Sequence, residues 1–231
     1  MARARLSNAI VSDYLGRIGA GAIEPGSALP TEAVLCETYG VGRSVVREAL
    51  QALDAKGFII VRQGSVATVA PKYQWHVLDP EFLDLTNAAE YFDLLQEARE
   101  VLEPRIAALA AERASEEDIV EMSMLNARLS RVQDSPSEHA DLDIAFHDAL
   151  ARATKNAILV SAHGSITGLG QRTRSAAAAV PGAIDRAVTW HGAIIDAIKA
   201  RDPDTAVAAM HLHLRQVREE LKRVNEQEPI E

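Results

Sequence analysis

"GRSVVREALQAL", residues 42–53, decides how the first third of the chain folds. Val46, Ala49, Leu50 and Leu53 recur at helical spacing, so one face of a short helix is meant for a core. Arg43, Ser44 and Arg47 crowd the opposite face within its first turn and a half. Upstream, "PTEAVLCETYG" (30–40) opens on a capping-type Thr31 after Pro30 and closes at Gly40, which predicts a second short helix. Earlier still, "LSNAIVSDYLGRIG" (6–19) reads as a helix, separated from the second by the turn signal Pro25-Gly26. Downstream, "FIIVRQGSVATVA" (58–70) places β-branched residues on both sides of Gly64, the pattern of a short hairpin. Three short helices followed by a hairpin predict a winged helix-turn-helix over residues 1–72.

Beyond it the periodicity lapses in "PKYQWHVLDP" (71–80), and residues 73–80 are expected as a linker to a second domain at 81–231. Everything after reads as helix, at about 90–113, 115–132, 137–153, 156–176, 182–200 and 203–225. Pro104 falls inside the first of these and predicts a kink. Scarce aromatics and abundant alanine and leucine favour helix over sheet. The expected fold class is therefore mainly α: a winged helix-turn-helix, then an all-α antiparallel bundle.

Charge separates the two parts. The chain carries a formal net charge of −9, yet residues 1–72 hold eight basic and six acidic residues, a net of +2. The remaining 159 residues hold 16 basic and 27 acidic residues, a net of −11. An acidic surface repels nucleic acid, so only the first third offers a place for it. No apolar run approaches the roughly 20 residues that span a bilayer, so no membrane partner is expected. The N-terminus lacks the apolar core of a signal peptide. Cys36 is the single cysteine and suits a reducing compartment. A cytoplasmic protein is the expectation.

In a helix-turn-helix the second helix of the pair enters the major groove of double-stranded DNA by its N-terminal residues. Arg43 and Arg47, at i and i+4, project from one face there, and arginine suits bidentate contact with guanine or phosphate. Ser44 can bond a phosphate or a base, and Gln63-Gly64 would form the wing tip. The plain alternative is that the arginines are solvated, or pair with Glu48 and Glu37.

A second constellation lies in the helical part. Asp143 and His147 share one helix face at i and i+4, while His191 and His213 fall in later helices. One carboxylate and three imidazoles could hold a divalent ion such as zinc, with positions left for water or ligand. Spacing alone does not make the four converge, and buried histidines bonded to neighbours are the plain alternative. His76, His139, His163 and His211 are read as non-ligands. No nucleophile–base pair or phosphate-cradling loop is evident, so an enzyme is not expected. The alternative function is a metal-dependent enzyme acting on a small acid through the helical domain.

The stretch "IEPGSALPTEAVLCETYGVGRSVVREALQALDAKGFIIVRQG" (23–64) resembles the GntR-type winged-helix regulators, whose hallmark runs PGxxLPxExxLxxxxxVxRxxVRxALxxLxxxGxI. The helical remainder is similar to the FCD-type ligand-binding domain of the FadR subgroup. The resemblance implies a homodimeric transcription factor, usually a repressor, released from a palindromic operator by a small metabolite. It places DNA contacts at Arg43, Ser44 and Arg47, with Gln63 and Gly64 in the wing. Gly42 stands where some members use a threonine on phosphate. Ala33 replaces an arginine common after LPxE, and Val66 replaces a second wing glycine, so two contacts used by relatives are expected to be missing.

The resemblance also implies a metal, since FCD domains that bind one match the pattern of Asp143, His147, His191 and His213. Zinc is the expected ion, with nickel or manganese as alternatives, and ligand anchoring is its implied role. Arg99 matches an arginine that often faces the ligand cavity, its plain alternative being an ion pair with Glu103 or Glu100. Arg172 and Arg174 are weaker effector-binding candidates of the same kind, their plain alternative being a place at the surface. "APKYQWHVLDPEFLDL" (70–85) resembles the joining segment of members that sense sugar acids, the galactonate-responsive repressors among them. The implied effector is an aldonate or related sugar acid, with keto acids and dicarboxylates as rivals.

Overall fold

The computed structural model describes residues 2–85, 88–132, 135–167 and 170–227. They divide into two compact units, Met1–Ala88 and Ala89–Glu231. The first unit contains α1 (Ala2–Gly19), α2 (Glu32–Tyr39), α3 (Arg43–Ala55), β1 (Ile59–Ile60), β2 (Thr68–Val69) and α4 (Pro80–Leu85). The Thr31 side chain caps α2 by accepting the Val34 N–H at 3.4 Å. Gly40 ends the same helix in the left-handed region, φ 63°, where a side chain would be strained. That sharp stop turns the chain into α3 after two residues. Both α1 and α2 pack on α3, burying Val46, Ala49 and Leu53 beside Leu35 and Leu15. Each large apolar side chain so buried contributes about 1.5–3 kcal/mol.

The strands pair antiparallel with Ile59 opposite Val69 and Ile60 opposite Thr68. Residues 26–29 run along the other edge of β2, where the Leu29 N–H donates to Ala67 O at 2.8 Å and the Val69 N–H to Ser27 O at 2.9 Å. The turn between the strands closes with a 3.1 Å bond from the Ser65 N–H to Arg62 O, around Gly64 at φ 75°. This is the expected winged helix-turn-helix.

Residues 73–80, expected as a linker, lie against the first unit. Trp75 is buried, its indole N–H donating to Ala70 O at 2.8 Å. Phe58 stacks obliquely on Trp75 and Phe82, with centroids 5.5 and 4.5 Å away. The Lys56 ammonium reaches Asp79 and Glu81, and the His76 N–H donates to Lys56 O at 3.1 Å. An aperiodic segment can still bury bulky aromatics, which is why the loss of periodicity misleads here. Helix α4 follows because Asp79 Oδ1 accepts the N–H groups of Glu81 and Phe82 at 3.1 and 3.2 Å, a carboxylate cap before Pro80.

The second unit is all helix: α5 (Ala88–Arg113), α6 (Glu116–Leu129), α7 (Pro136–Ala153), α8 (Ala157–Thr167), α9 (Gln171–Ala178), α10 (Ala183–Lys199) and α11 (Pro203–Gln227). Helix α5 continues through Pro104 without a break. The single helix expected over 156–176 is two helices, α8 ending at Thr167 and α9 starting after Gly170, a residue of low helix propensity. Residues 168–169 lie outside the described set, and Gly170 caps α9. The core gathers Met122, Phe146, Leu150, Ile194, Ile198 and Leu214 from four helices. Helices α10 and α11 pack on each other, and side chains of α7 reach both, Phe146 on His191 and His147 beside His213.

Two glycine substitutions should move stability in opposite directions. Gly57 has φ +74°, and a Cβ there would sit 2.1 Å from the Gln74 carbonyl oxygen. Gly57→Ala should therefore cost more than about 1 kcal/mol. Gly16 lies inside α1 with open space around it, so Gly16→Ala should gain about 0.5–1 kcal/mol. Urea unfolding of both variants measures this, and equal shifts would contradict the packing described.

Candidate metal centre and nucleic-acid interface

Along α7, α10 and α11 the histidines sit on the apolar stripes. His191 precedes Ile194, Ile195 and Ile198, and His213 stands between Met210 and Val217, so burying each stripe buries its imidazole. Asp143 and His147 stand one turn apart on α7, in line with Phe146 and Leu150. The result is that Asp143, His147, His191 and His213 are all buried, with one ligand atom from each lying within 4.8 Å of the others. His147 Nε2 is 3.3 Å from His213 Nε2 and 3.8 Å from Asp143 Oδ1. His191 Nε2 is 3.4 Å from the same Asp143 oxygen. The Phe146 ring stacks on His191 at 3.9 Å and walls that side.

Glu103 lies behind His147, its Oε2 3.0 Å from Nδ1. A carboxylate at the remote nitrogen of a ligating histidine fixes ring orientation and directs Nε2 outward. Arg99 in turn donates to Glu103 at 2.7 Å through Nε, and Arg174 donates to Asp143 Oδ2 at 2.7 Å. Glu103 also faces His163, 3.7 Å away, and Glu103, His147 and His163 form a second group within ligating distance. The first group presents four donors and the second three, and His147 is common to both.

The donor set fits a divalent cation. Neither ring nitrogen of His191 has a hydrogen-bond partner among the described residues, and buried polar atoms are rarely left so. Burial, then the neighbouring His213, pulls His191 well below its ordinary value. Burial, followed by His147, takes His213 down to about 3. Both are therefore neutral donors near pH 7, as metal ligation requires. Burial alone would push the Asp143 carboxyl up, but His147 and then Arg174 hold it far below the usual carboxylate range. Burial likewise opposes ionisation of Glu103, and Arg99 followed by His147 overcomes it.

A cavity of about 20 Å³ adjoins this cluster, lined by Arg99, His139, Asp143, Arg174, Gln216 and Glu220 among others. Arg99 both faces it and pairs with Glu103, so its two expected roles coincide, although the pair is buried rather than at the surface. Arg174, expected at the surface, is buried at 5% exposure. Its i, i+3, i+4 relation to Ala177 and Ala178 puts all three on the cavity side of α9. Arg172 is on the same helix, but its side chain lies outside the described residues. Glu103 was legible only as a partner of Arg99, and nothing in its spacing from His147 announces their contact.

In the first unit, Arg43, Ser44 and Arg47 are exposed at the start of α3, and Gln63 and Gly64 are exposed at the wing tip. Arg47 Nε lies 3.0 Å from both carboxylate oxygens of Glu32, rather than against Glu37 or Glu48. That pair is largely solvated, worth about 0–1 kcal/mol. A bidentate guanine contact discriminates by about 1–3 kcal/mol, so Glu32 orients Arg47 without sequestering it. Among the described residues no helix is long and apolar enough to cross a membrane.

Comparison with known proteins bears on both units. The family described as "Bacterial regulatory proteins, gntR family" matches residues 6–69, and the FCD domain matches residues 94–216. The galactonate operon transcriptional repressor of Escherichia coli K12 is 33% identical over 82% of this chain and 85% of its own. The Glc operon transcriptional activator of the same organism is 34% identical over 87% of this chain and 83% of its own. Among solved structures, Streptococcus agalactiae GntR aligns with a TM-score of 0.53 at 28% identity, covering 92% of this chain and 99% of that one.

The buried histidines make the metal-free protein sensitive to acid. Unfolded histidine titrates near 6.5, and the folded values of His139, His191 and His213 are depressed. Their contribution is complete above about pH 6.5 and is lost as pH falls toward the folded values. His163 is raised and acts alone in the opposite sense, so three groups outweigh one. The urea midpoint of chelator-treated protein should fall from pH 7 to pH 5, and a flat or rising midpoint would contradict neutral buried imidazoles.

Proposed function

The chain belongs to the GntR family of bacterial regulatory proteins, with an FCD domain after the winged unit, and on that premise we propose that it is a repressor released from its operator by a small sugar acid. It is a transcriptional regulator, and its relatives and structural neighbours are regulators rather than enzymes. The reading as a metal-dependent enzyme is set aside on that ground. In the proposal a homodimer binds a palindromic site, each winged unit placing α3 in a major groove. Arg43 and Arg47 then read guanine or phosphate, Ser44 bonds the backbone, and Gln63 and Gly64 approach the neighbouring minor groove.

One observation carries the effector half: the charge balance of the buried cluster. Arg99 and Arg174 already offset Glu103 and Asp143, and His191 and His213 are neutral near pH 7. Asp143, His147, His191 and His213 would hold a divalent ion, zinc first, with nickel or manganese as alternatives. Such an ion brings surplus positive charge and open positions, which a carboxylate would balance and fill. Arg99 and Arg174 line the adjoining cavity and can clamp that carboxylate. The sugar-acid class is supported by likeness to a repressor of a galactonate operon. A repressing mode follows the same relative, whereas the Glc operon relative is an activator.

Fluorescence anisotropy with DNA from the protein's own upstream region tests the whole scheme. Metal-loaded protein should bind with a steep salt dependence, and an aldonate should release it. Arg47→Ala should weaken binding about 5–150-fold, the range of one lost bidentate base contact. Unchanged operator affinity in Arg47→Ala would exclude the assigned reading helix.

A further inference from the structure

We propose that Gln216 and His139 read hydroxyl groups on the effector, and that Glu220 turns away acids bearing a second carboxylate. The inference rests on the helical unit's taking a small carboxylate at Arg99 and Arg174. It adds which residues select the rest of that molecule.

Three groups on the wall of the same small cavity have unmet hydrogen-bonding capacity. Arg174 Nη2, Gln216 Oε1 and both ring nitrogens of His139 are buried without a hydrogen-bond partner among the described residues, and all three residues line the cavity. Its volume is about 20 Å³, room for about one water, so a six-carbon acid reaches them only as the side chains around it move apart. Such atoms cost about 1–3 kcal/mol each when left bare. A ligand that meets them gains accordingly.

The three differ in what they demand. Arg174 is a donor only, and suits a carboxylate. Gln216 has its amide orientation fixed by its neighbours. Its Nε2 donates to Glu220 Oε1 at 2.8 Å and points at Ala183 O, 3.5 Å away. Both are acceptors, so the NH₂ must face them, and Oε1 is the atom left over. That oxygen accepts only, and it excludes a carboxylate or a ketone as its partner. A hydroxyl satisfies it. His139, 5% exposed, offers one donor and one acceptor as a neutral ring, which again matches a hydroxyl.

Glu220 completes the filter. It is buried at 3% exposure and lines the cavity. Arg186 holds its carboxylate through Nε at 2.9 Å and Nη2 at 2.7 Å. Those bonds, with the one from Gln216, converge on Oε1, and Oε2 faces an entering molecule as an acceptor. A second carboxylate near it has no hydrogen to donate, whereas a hydroxyl can donate to it. The lining thus combines donors, Arg99 and Arg174, with acceptors, Gln216 and Glu220. Its complement is a monocarboxylate with hydroxyls along the chain.

Isothermal titration of zinc-loaded protein with four six-carbon acids separates these terms. D-galactonate and D-gluconate carry one carboxylate and hydroxyls, galactarate carries a carboxylate at each end, and hexanoate carries no hydroxyl. The better aldonate should bind at least 10-fold more tightly than galactarate or hexanoate. Gln216→Met, close in volume and lacking the acceptor, should lose at least 10-fold for the aldonate while leaving hexanoate unchanged. His139→Phe should show the same pattern, and ligand-free melting temperatures with zinc content confirm that each variant is folded. Glu220→Gln should bring galactarate within threefold of the aldonate. If hexanoate or galactarate binds wild type within threefold of the better aldonate, or Gln216→Met binds it as wild type does, the hydroxyl reading falls alone. If none of the four binds, the small-carboxylate reading falls and takes this one with it.

Discussion

The helical unit is organised around ionisable groups that its own core forces out of water. Helices α7, α10 and α11 bury their apolar stripes, and with them three imidazoles and a carboxylate. Charges in such a place persist only when paired and hydrogen-bonded. Arg99 on Glu103 and Arg174 on Asp143 provide the pairing, and Glu103 orients His147. The chain therefore needs no cation to stay neutral there. In the proposed scheme a divalent ion would therefore enter together with an anion, and that pairing would give the cluster its use as a sensor.

The winged unit obeys a different rule. Its polar residues at the start of α3 are exposed, and Glu32 holds Arg47 in a solvated ion pair. Exposure there is what a DNA-reading residue requires, since its pairing must be exchanged cheaply for a phosphate or a base. The net +2 of residues 1–72 beside the net −11 of the remainder is the sequence trace of that division.

Much of this was legible before any coordinates. The cap at Thr31, the stop at Gly40 and the apolar spacing of α3 specified the winged unit, because local chemistry decides short helices and turns. The four ligand residues were legible as types and as the Asp143–His147 turn, but their meeting is a tertiary fact that depends on how α7, α10 and α11 pack. Likeness to a family supplied what spacing could not. Two features misled. The aperiodic 73–80 segment packs through Trp75 and its neighbours, and burial of aromatics leaves no periodic mark. Arg174, read as a surface residue, is buried on α9, a helix that starts anew after Gly170.

The claim that the buried cluster is a metal site that meets the effector is tested most directly with cobalt in place of zinc, whose visible absorption reports its ligands. Wild-type protein should take up one equivalent per chain, His191→Ala should not, and saturating aldonate should change the wild-type bands. Failure to take up cobalt, or acid binding that leaves the bands untouched, would contradict the account.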